Sequence, residues 1–159
     1  MAFLGCVASF IHSFEKFFRR NKMSRIKGGC LCGNVQYSSA AEPVAQVVCH
    51  CPDCQKQTGT ASSIVVGLAE SDLEISGSSH AIYVTDGDTG QGVARHFCNN
   101  CGSPIYSQPR AMPGFAFLKA GTLDDTSWLK PTTNIYCETA QSWVTMGEGM
   151  ENHDRMMPL

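Results

Sequence analysis

The chain is short of charge: 16% of its 159 residues are Asp, Glu, Lys or Arg, and the formal net charge is -2. A slightly acidic balance gives no broad electrostatic reason to bind nucleic acid. No basic patch stands out after residue 27. No apolar run reaches the roughly twenty residues that a membrane-spanning helix needs, so no transmembrane segment is expected. The start, Met1-Ala2-Phe3-Leu4-Gly5, has no basic stretch ahead of its apolar residues, so a secretory leader is not expected either. Internal repeats and a βαβ rhythm are also absent, which argues against a solenoid and a parallel α/β sheet. At 43% hydrophobic residues, the chain has enough apolar material for one ordinary globular domain. These features together point to the cytoplasm.

Cysteine, by contrast, is plentiful. There are nine, at Cys6, Cys30, Cys32, Cys49, Cys51, Cys54, Cys98, Cys101 and Cys137. Seven fall into three tight groups: Cys30-Leu31-Cys32, Cys49-His50-Cys51-Pro52-Asp53-Cys54 and Cys98-Asn99-Asn100-Cys101. A disulfide framework needs an oxidising compartment, and an odd total fits complete pairing poorly. Metal binding is the better reading. Zinc takes thiolate ligands in a tetrahedron, and cysteines one or two residues apart turn both sulfurs onto one ion. Gly33 after Cys32 and Gly102 after Cys101 supply the backbone freedom that such knuckles need.

Seven ligands divide most simply into four and three. Cys49, Cys51 and Cys54 lie within six residues, so one loop can wrap them around a single ion. Cys30, Cys32, Cys98 and Cys101 then form a closed four-thiolate set, the mark of structural zinc. A three-cysteine site keeps one position open for water or substrate, as catalytic zinc requires. A rival partition groups Cys51, Cys54, Cys98 and Cys101 and leaves Cys30, Cys32 and Cys49. The 43 residues between Cys54 and Cys98 are long for it. A third reading makes every site structural, with His50 or His96 as a fourth ligand. In an extended strand His50 would point away from the metal bound by its neighbours, so it suits a supporting position or solvent. His96 is a similar case. His12, His80 and His153 are isolated and read as solvated. Cys6 and Cys137 read as ordinary thiols, with Cys137 a small buried side chain.

From Ile26 onward the pattern is of short strands between turns. Candidates are Val35–Tyr37, Val44–Val48, Ser63–Leu68, Leu73–Ile75, Ala81–Val84, Val93–Phe97 and Phe115–Leu118. Brief helical turns are expected at Gln55–Ala61 and Asp124–Leu129. Ahead of them, Phe3, Leu4, Val7, Phe10, Ile11, Phe14, Phe17 and Phe18 recur at helical spacing. The expected organisation is an amphipathic extension over 1–22, a zinc-binding domain over 23–150 and a tail over 151–159. The apolar stripe of the extension is a candidate surface for self-association or a membrane interface. It is equally suited to pack on the domain, or to lie upstream of a working start at Met23.

Three strings carry a family resemblance: Gly29-Cys30-Leu31-Cys32-Gly33; Cys49-His50-Cys51-Pro52-Asp53-Cys54-Gln55-Lys56-Gln57-Thr58-Gly59; and Phe97-Cys98-Asn99-Asn100-Cys101-Gly102-Ser103-Pro104. In that order they resemble the glutathione-dependent formaldehyde-activating enzyme family, which includes S-(hydroxymethyl)glutathione synthase-like and centromere protein V-like zinc proteins. The resemblance implies a mainly β fold, a tent of small antiparallel sheets. It implies two zinc ions per chain: a structural one on Cys30, Cys32, Cys98 and Cys101, and a catalytic one on Cys49, Cys51 and Cys54. It also implies a carbon–sulfur lyase that joins glutathione to formaldehyde, or separates them. The residue segment before Met23 departs from the family pattern.

A tripeptide with two carboxylates needs cationic or amide donors beside the open ion. Lys56, Arg95 and Arg110 are candidates by their place in or near the cysteine motifs. Gln57, Thr58 and Gly59 follow the triad directly; Gln57 and Arg95 are the two expected to touch substrate. Two other function classes remain open at this point: an enzyme on another aldehyde or thiol, and a non-catalytic zinc module that binds a protein partner.

Overall fold

The computed structural model describes residues 25–157. The expected helix over the N-terminal extension, with Cys6 and His12, lies outside the described residues. Eleven strands, one short α-helix and three 3-10 turns make up the regular structure of the described residues: β1 Ile26–Gly29, β2 Val35–Ser39, β3 Ala45–Cys49, α1 Pro52–Thr58, β4 Ser63–Ala69, β5 Glu74–Gly77, β6 His80–Thr85, β7 Val93–Cys98, β8 Pro104–Pro109, β9 Phe115–Lys119, β10 Thr133–Ile135 and β11 Glu151–Asn152. The fold is mainly β, as the strand pattern anticipates.

The strands make two sheets. One is three-stranded, in the order β1-β2-β5; the other has eight, in the order β11-β10-β3-β4-β9-β8-β7-β6. All pairings are antiparallel except at one edge of the larger sheet, where β10 runs parallel to both β3 and β11. That edge departs from the all-antiparallel expectation. Strands β10 and β11 are too short for their period-2 pattern to be read from sequence.

Alternation along the strands decides what each face of the large sheet buries. Val66 and Leu68 on β4, with Ala116 and Leu118 on β9, are fully buried and pack against Ile26, Val35 and Tyr37 of the small sheet. Their neighbours along the strands point the other way: Val65 joins Val47, Cys49, Cys54 and Ile135 in a second core, with Phe117 and Cys51 against it. The large sheet thus separates the two cysteine sets. Cys30 and Cys98 sit in the first core, and Cys49 and Cys54 in the second.

The helix begins earlier than sequence suggests. The expected turn at Gln55–Ala61 is instead a helix from Pro52 to Thr58, because Pro52 suits the first helical position and the Cys51 sulfur accepts the Cys54 N–H as a cap. Asp124–Leu129 forms no helix. There Asp125 Oδ1 accepts the Ser127 N–H at 2.9 Å, and the Leu129 N–H closes a turn onto Thr126 O. That local side-chain bond competes with helix formation.

Two candidate metal centres on opposite faces of one sheet

The first centre is built by two knuckles of the same design. In one, the Cys30 N–H donates to Val35 O and the Gly33 N–H to Cys30 O; in the other, Cys98 N–H donates to Ser103 O and Gly102 N–H to Cys98 O. Gly33 and Gly102 take left-handed backbone, at φ 77° and 75°, which a side chain would strain. Both knuckles therefore close as their glycines allow. Ser103 links the two: its Oγ accepts the Leu31 N–H at 3.1 Å and lies 3.3 Å from Cys101 Sγ.

The four sulfurs of Cys30, Cys32, Cys98 and Cys101 lie within 4.8 Å of one another. Cys30 and Cys32 are 3.5 Å apart, and Cys32 and Cys98 are 3.7 Å apart. A tetrahedral ion with metal–sulfur bonds of about 2.3 Å spaces its ligands by about 3.8 Å. The donor set and its spacing fit such an ion. The Val35 N–H also donates to Cys30 Sγ at 3.2 Å, a contact that favours a thiolate. The hydroxyl of Ser103, and then its backbone, draw the Cys101 thiol down to about 5, while burial pushes Cys98 up to about 11. The structure supports the four-plus-three partition over the rival one, because Cys51 and Cys54 lie with Cys49 and not with Cys98 and Cys101.

The second centre rises from the end of β3 and the start of α1. Cys49 ends the strand, Cys51 caps the helix and Cys54 lies in its first turn, so a strand-to-helix turn brings all three sulfurs within 4.8 Å. Among the described residues, no fourth cysteine, histidine or carboxylate joins them. The thiols share protons unequally. Hydrogen bonds from Cys49 and Cys51, aided by the charges of Lys119 and Arg95, draw the Cys54 thiol far below its ordinary value. Hydrogen bonding with Cys51 and Cys54, with burial added, pushes Cys49 well up. None of the eight described cysteines is in a disulfide.

His50, between two of these cysteines, points away from them as the strand geometry requires. It is 1% exposed, and its Nε2 pairs with Asn134 Oδ1 at 3.0 Å. Asn134 in turn donates to Asn152 Oδ1 at 2.8 Å, so one polar chain joins β3, β10 and β11. His96 is no ligand either. It pairs with His80 and Gln108 at 2.8 Å each and stacks on Tyr106. His80 is thus half-buried and partnered, not solvated, because the β6–β7 register sets it diagonally from His96. Cys137 is half-buried in a short 3-10 turn.

Arg95 and Gln57 come together beside the triad. Arg95 is buried on β7; its Nη1 donates to Gln57 Oε1 at 2.9 Å and its Nη2 to Asp53 Oδ2 at 2.8 Å. Thr58 Oγ1 donates to Cys54 O, and Gly59 ends the helix. Lys56 is exposed on α1, and Arg110 is exposed beside Gly92.

One residue at this centre escaped the sequence reading. Lys119, at the end of β9, is 4% exposed and donates through Nζ to Ser63 Oγ at 3.2 Å. Burial lowers its affinity for a proton, and the charge of Cys54 opposes that. Phe115-Ala116-Phe117-Leu118 is legible as a strand, and the alternation carried one residue further would have aimed Lys119 at the cysteine face. Ser107, on β8 between Arg95 and Phe117 in register, faces the same side with no hydrogen-bond partner for its buried hydroxyl among the described residues.

Residues 25–139 match the family model described as glutathione-dependent formaldehyde-activating enzyme. The chain belongs to that family. A crystal structure of a Rhodobacter sphaeroides protein has a similar fold, with a TM-score of 0.51 and 23% identity over 66% of this chain and 91% of that one. No curated protein matches the sequence. Among the described residues, no helix of this family member is long and apolar enough to cross a membrane.

Proposed function

We propose that this family member is a zinc-dependent carbon–sulfur lyase that forms or cleaves S-hydroxymethylglutathione. The observation that carries the reading is the three-sulfur centre of Cys49, Cys51 and Cys54, to which the described residues bring no fourth donor. In this reading Cys30, Cys32, Cys98 and Cys101 hold a structural zinc ion, and the triad holds a second one with a position left for a thiol.

Zinc bound at the triad would keep a coordinated thiol ionised at neutral pH. The protein side chains do the rest. Cys49, Cys51 and Cys54 fix where the glutathione sulfur sits. Arg95 and Gln57, already joined at 2.9 Å, offer a guanidinium and an amide to the carboxylates of the tripeptide. Asp53 occupies one edge of that guanidinium and is half-exposed, so a substrate carboxylate can compete for it. The product differs from its parts by one carbon–sulfur bond, so no redox partner is required. Free thiols throughout the described chain suit the reducing cytoplasm, where glutathione is abundant.

The test is calorimetric titration of glutathione into protein loaded with two zinc ions per chain, with Cys51→Ser as control. Saturable binding that disappears in the variant supports the reading. Absence of binding at millimolar glutathione removes it.

A further inference from the structure

We infer that Lys119 holds the aldehyde oxygen during carbon–sulfur bond formation, an inference that rests on the lyase reading above. Lys119 lies in register with Val65 on the neighbouring strand, and Val65 with Val47 beyond it. From there its side chain runs back to Ser63, and Ser63 lies in register with Cys49. The ammonium therefore ends level with the first cysteine of the triad, on the face that carries all three. Its charge helps to lower the Cys54 thiol, and the charges of Cys54, Arg95, Cys49 and Cys51 act on Lys119 in turn.

An ammonium at 4% exposure is expensive to bury. No carboxylate pairs with it among the described residues. Its one partner among the described residues is the Ser63 hydroxyl, which leaves two of three N–H donors for something else. A surface lysine snorkels to water, but this one is enclosed beside a centre to which the described residues bring no fourth ligand. A group that becomes negative beside the bound sulfur is what such a donor suits.

The reaction supplies such a group. The glutathione thiol gives its proton to solvent, and the thiolate pair forms the C–S bond to formaldehyde. The C=O π bond breaks and its electrons collect on oxygen. Lys119 donates an N–H to that alkoxide as its charge develops, and solvent returns the proton to give S-hydroxymethylglutathione. Fixed donors aimed at a developing oxyanion commonly account for about 100-fold or more in rate. The competing role is simple charge balance for the thiolates. It predicts a loss of metal or thiol affinity on neutralising Lys119, not a loss of rate.

The experiment compares Lys119→Met, Lys119→Gln and the parent protein, each loaded with zinc. Zinc content, glutathione affinity by calorimetry, and exchange between formaldehyde hydrate and its glutathione adduct by NMR are read for each. The expected result is two zinc ions and glutathione affinity within about threefold in both variants. Exchange in Lys119→Met falls about 100-fold, and Lys119→Gln, which keeps an N–H, recovers about tenfold of it. Exchange in Lys119→Met within threefold of the parent overturns the inference. So does loss of zinc or of glutathione affinity in both variants, which would make Lys119 structural. If the parent itself does not accelerate exchange over buffer, the lyase reading fails instead.

Discussion

Arg95 Nη2 donates to Asp53 Oδ2 at 2.8 Å, and this bond ties α1 to strand β7 across the second metal centre. The two ends differ in environment: the arginine side chain is 9% exposed and the aspartate 47%. Removing the buried end therefore costs more. Arg95→Ala should destabilise the loaded protein by about 2 kcal/mol, because Asp53, Gln57 and Thr85 all lose a donor. Asp53→Asn should cost less than about 1 kcal/mol, as half-exposed ion pairs do. Urea unfolding of both variants checks the order, and equal losses would refute it.

The two centres should fail differently. Cys51→Ser and Cys98→Ser are each expected to lower the zinc content from two ions to one, read by atomic emission. Only Cys98→Ser should also lower the melting temperature by about 10 °C, given about 2–4 °C per kcal/mol for a chain of this size. Cys98 is wholly buried in the core between the sheets, whereas Cys51 is partly exposed at the start of α1.

Alkaline pH gives a separate test, on two residues that are not themselves metal ligands. Burial pushes Tyr37 up to about 12, and burial with the nearby charge of Glu70 does the same to Tyr106. Both phenols stay protonated in the fold while the unfolded chain begins to lose those protons near 10. The raised values add stability in full below pH 10, and this is lost as the pH rises from 10 to 12. Urea midpoints should fall across that window, and less steeply in Tyr37→Phe. An unchanged slope would show that Tyr37 does not titrate as its burial implies.

Polar groups on the two faces should respond in opposite directions. Asn134→Ala strips a partner from both His50 and Asn152, inside a strand that is wholly buried, and should cost about 2 kcal/mol. Ser107→Ala deletes a buried hydroxyl that has no partner among the described residues, so its stability should stay level or rise by up to about 1 kcal/mol. A clear loss in Ser107→Ala would mean that the hydroxyl is satisfied after all.

Seven sequence-read strands are present within a residue or two because their apolar runs are strong, as at Ser63–Ala69, or end on a glycine turn. Strand β8 was not legible, since proline stands at both its ends and reads as a turn. Strands β10 and β11 carry too few residues for any period, and their hydrogen bonds are set by what docks beside them. Spacing favoured the four-and-three grouping of cysteines, because the triad and each knuckle are local turns, although the meeting of the two knuckles is long-range. Lys119 was not. Its placement depends on the last residue of β9 meeting a partner more than fifty residues away, at Ser63.

The four-sulfur centre has a consequence for how the chain is made. Cys32 and Cys98 are 66 residues apart in sequence. At about 5–20 residues per second, the ribosome takes about 3–13 s to deliver the second knuckle after the first. For that interval Cys30 and Cys32 are bare thiols, open to oxidation or to the wrong ion. Yield in the cell should then follow zinc and reductant supply during synthesis more closely than the stability of the finished protein.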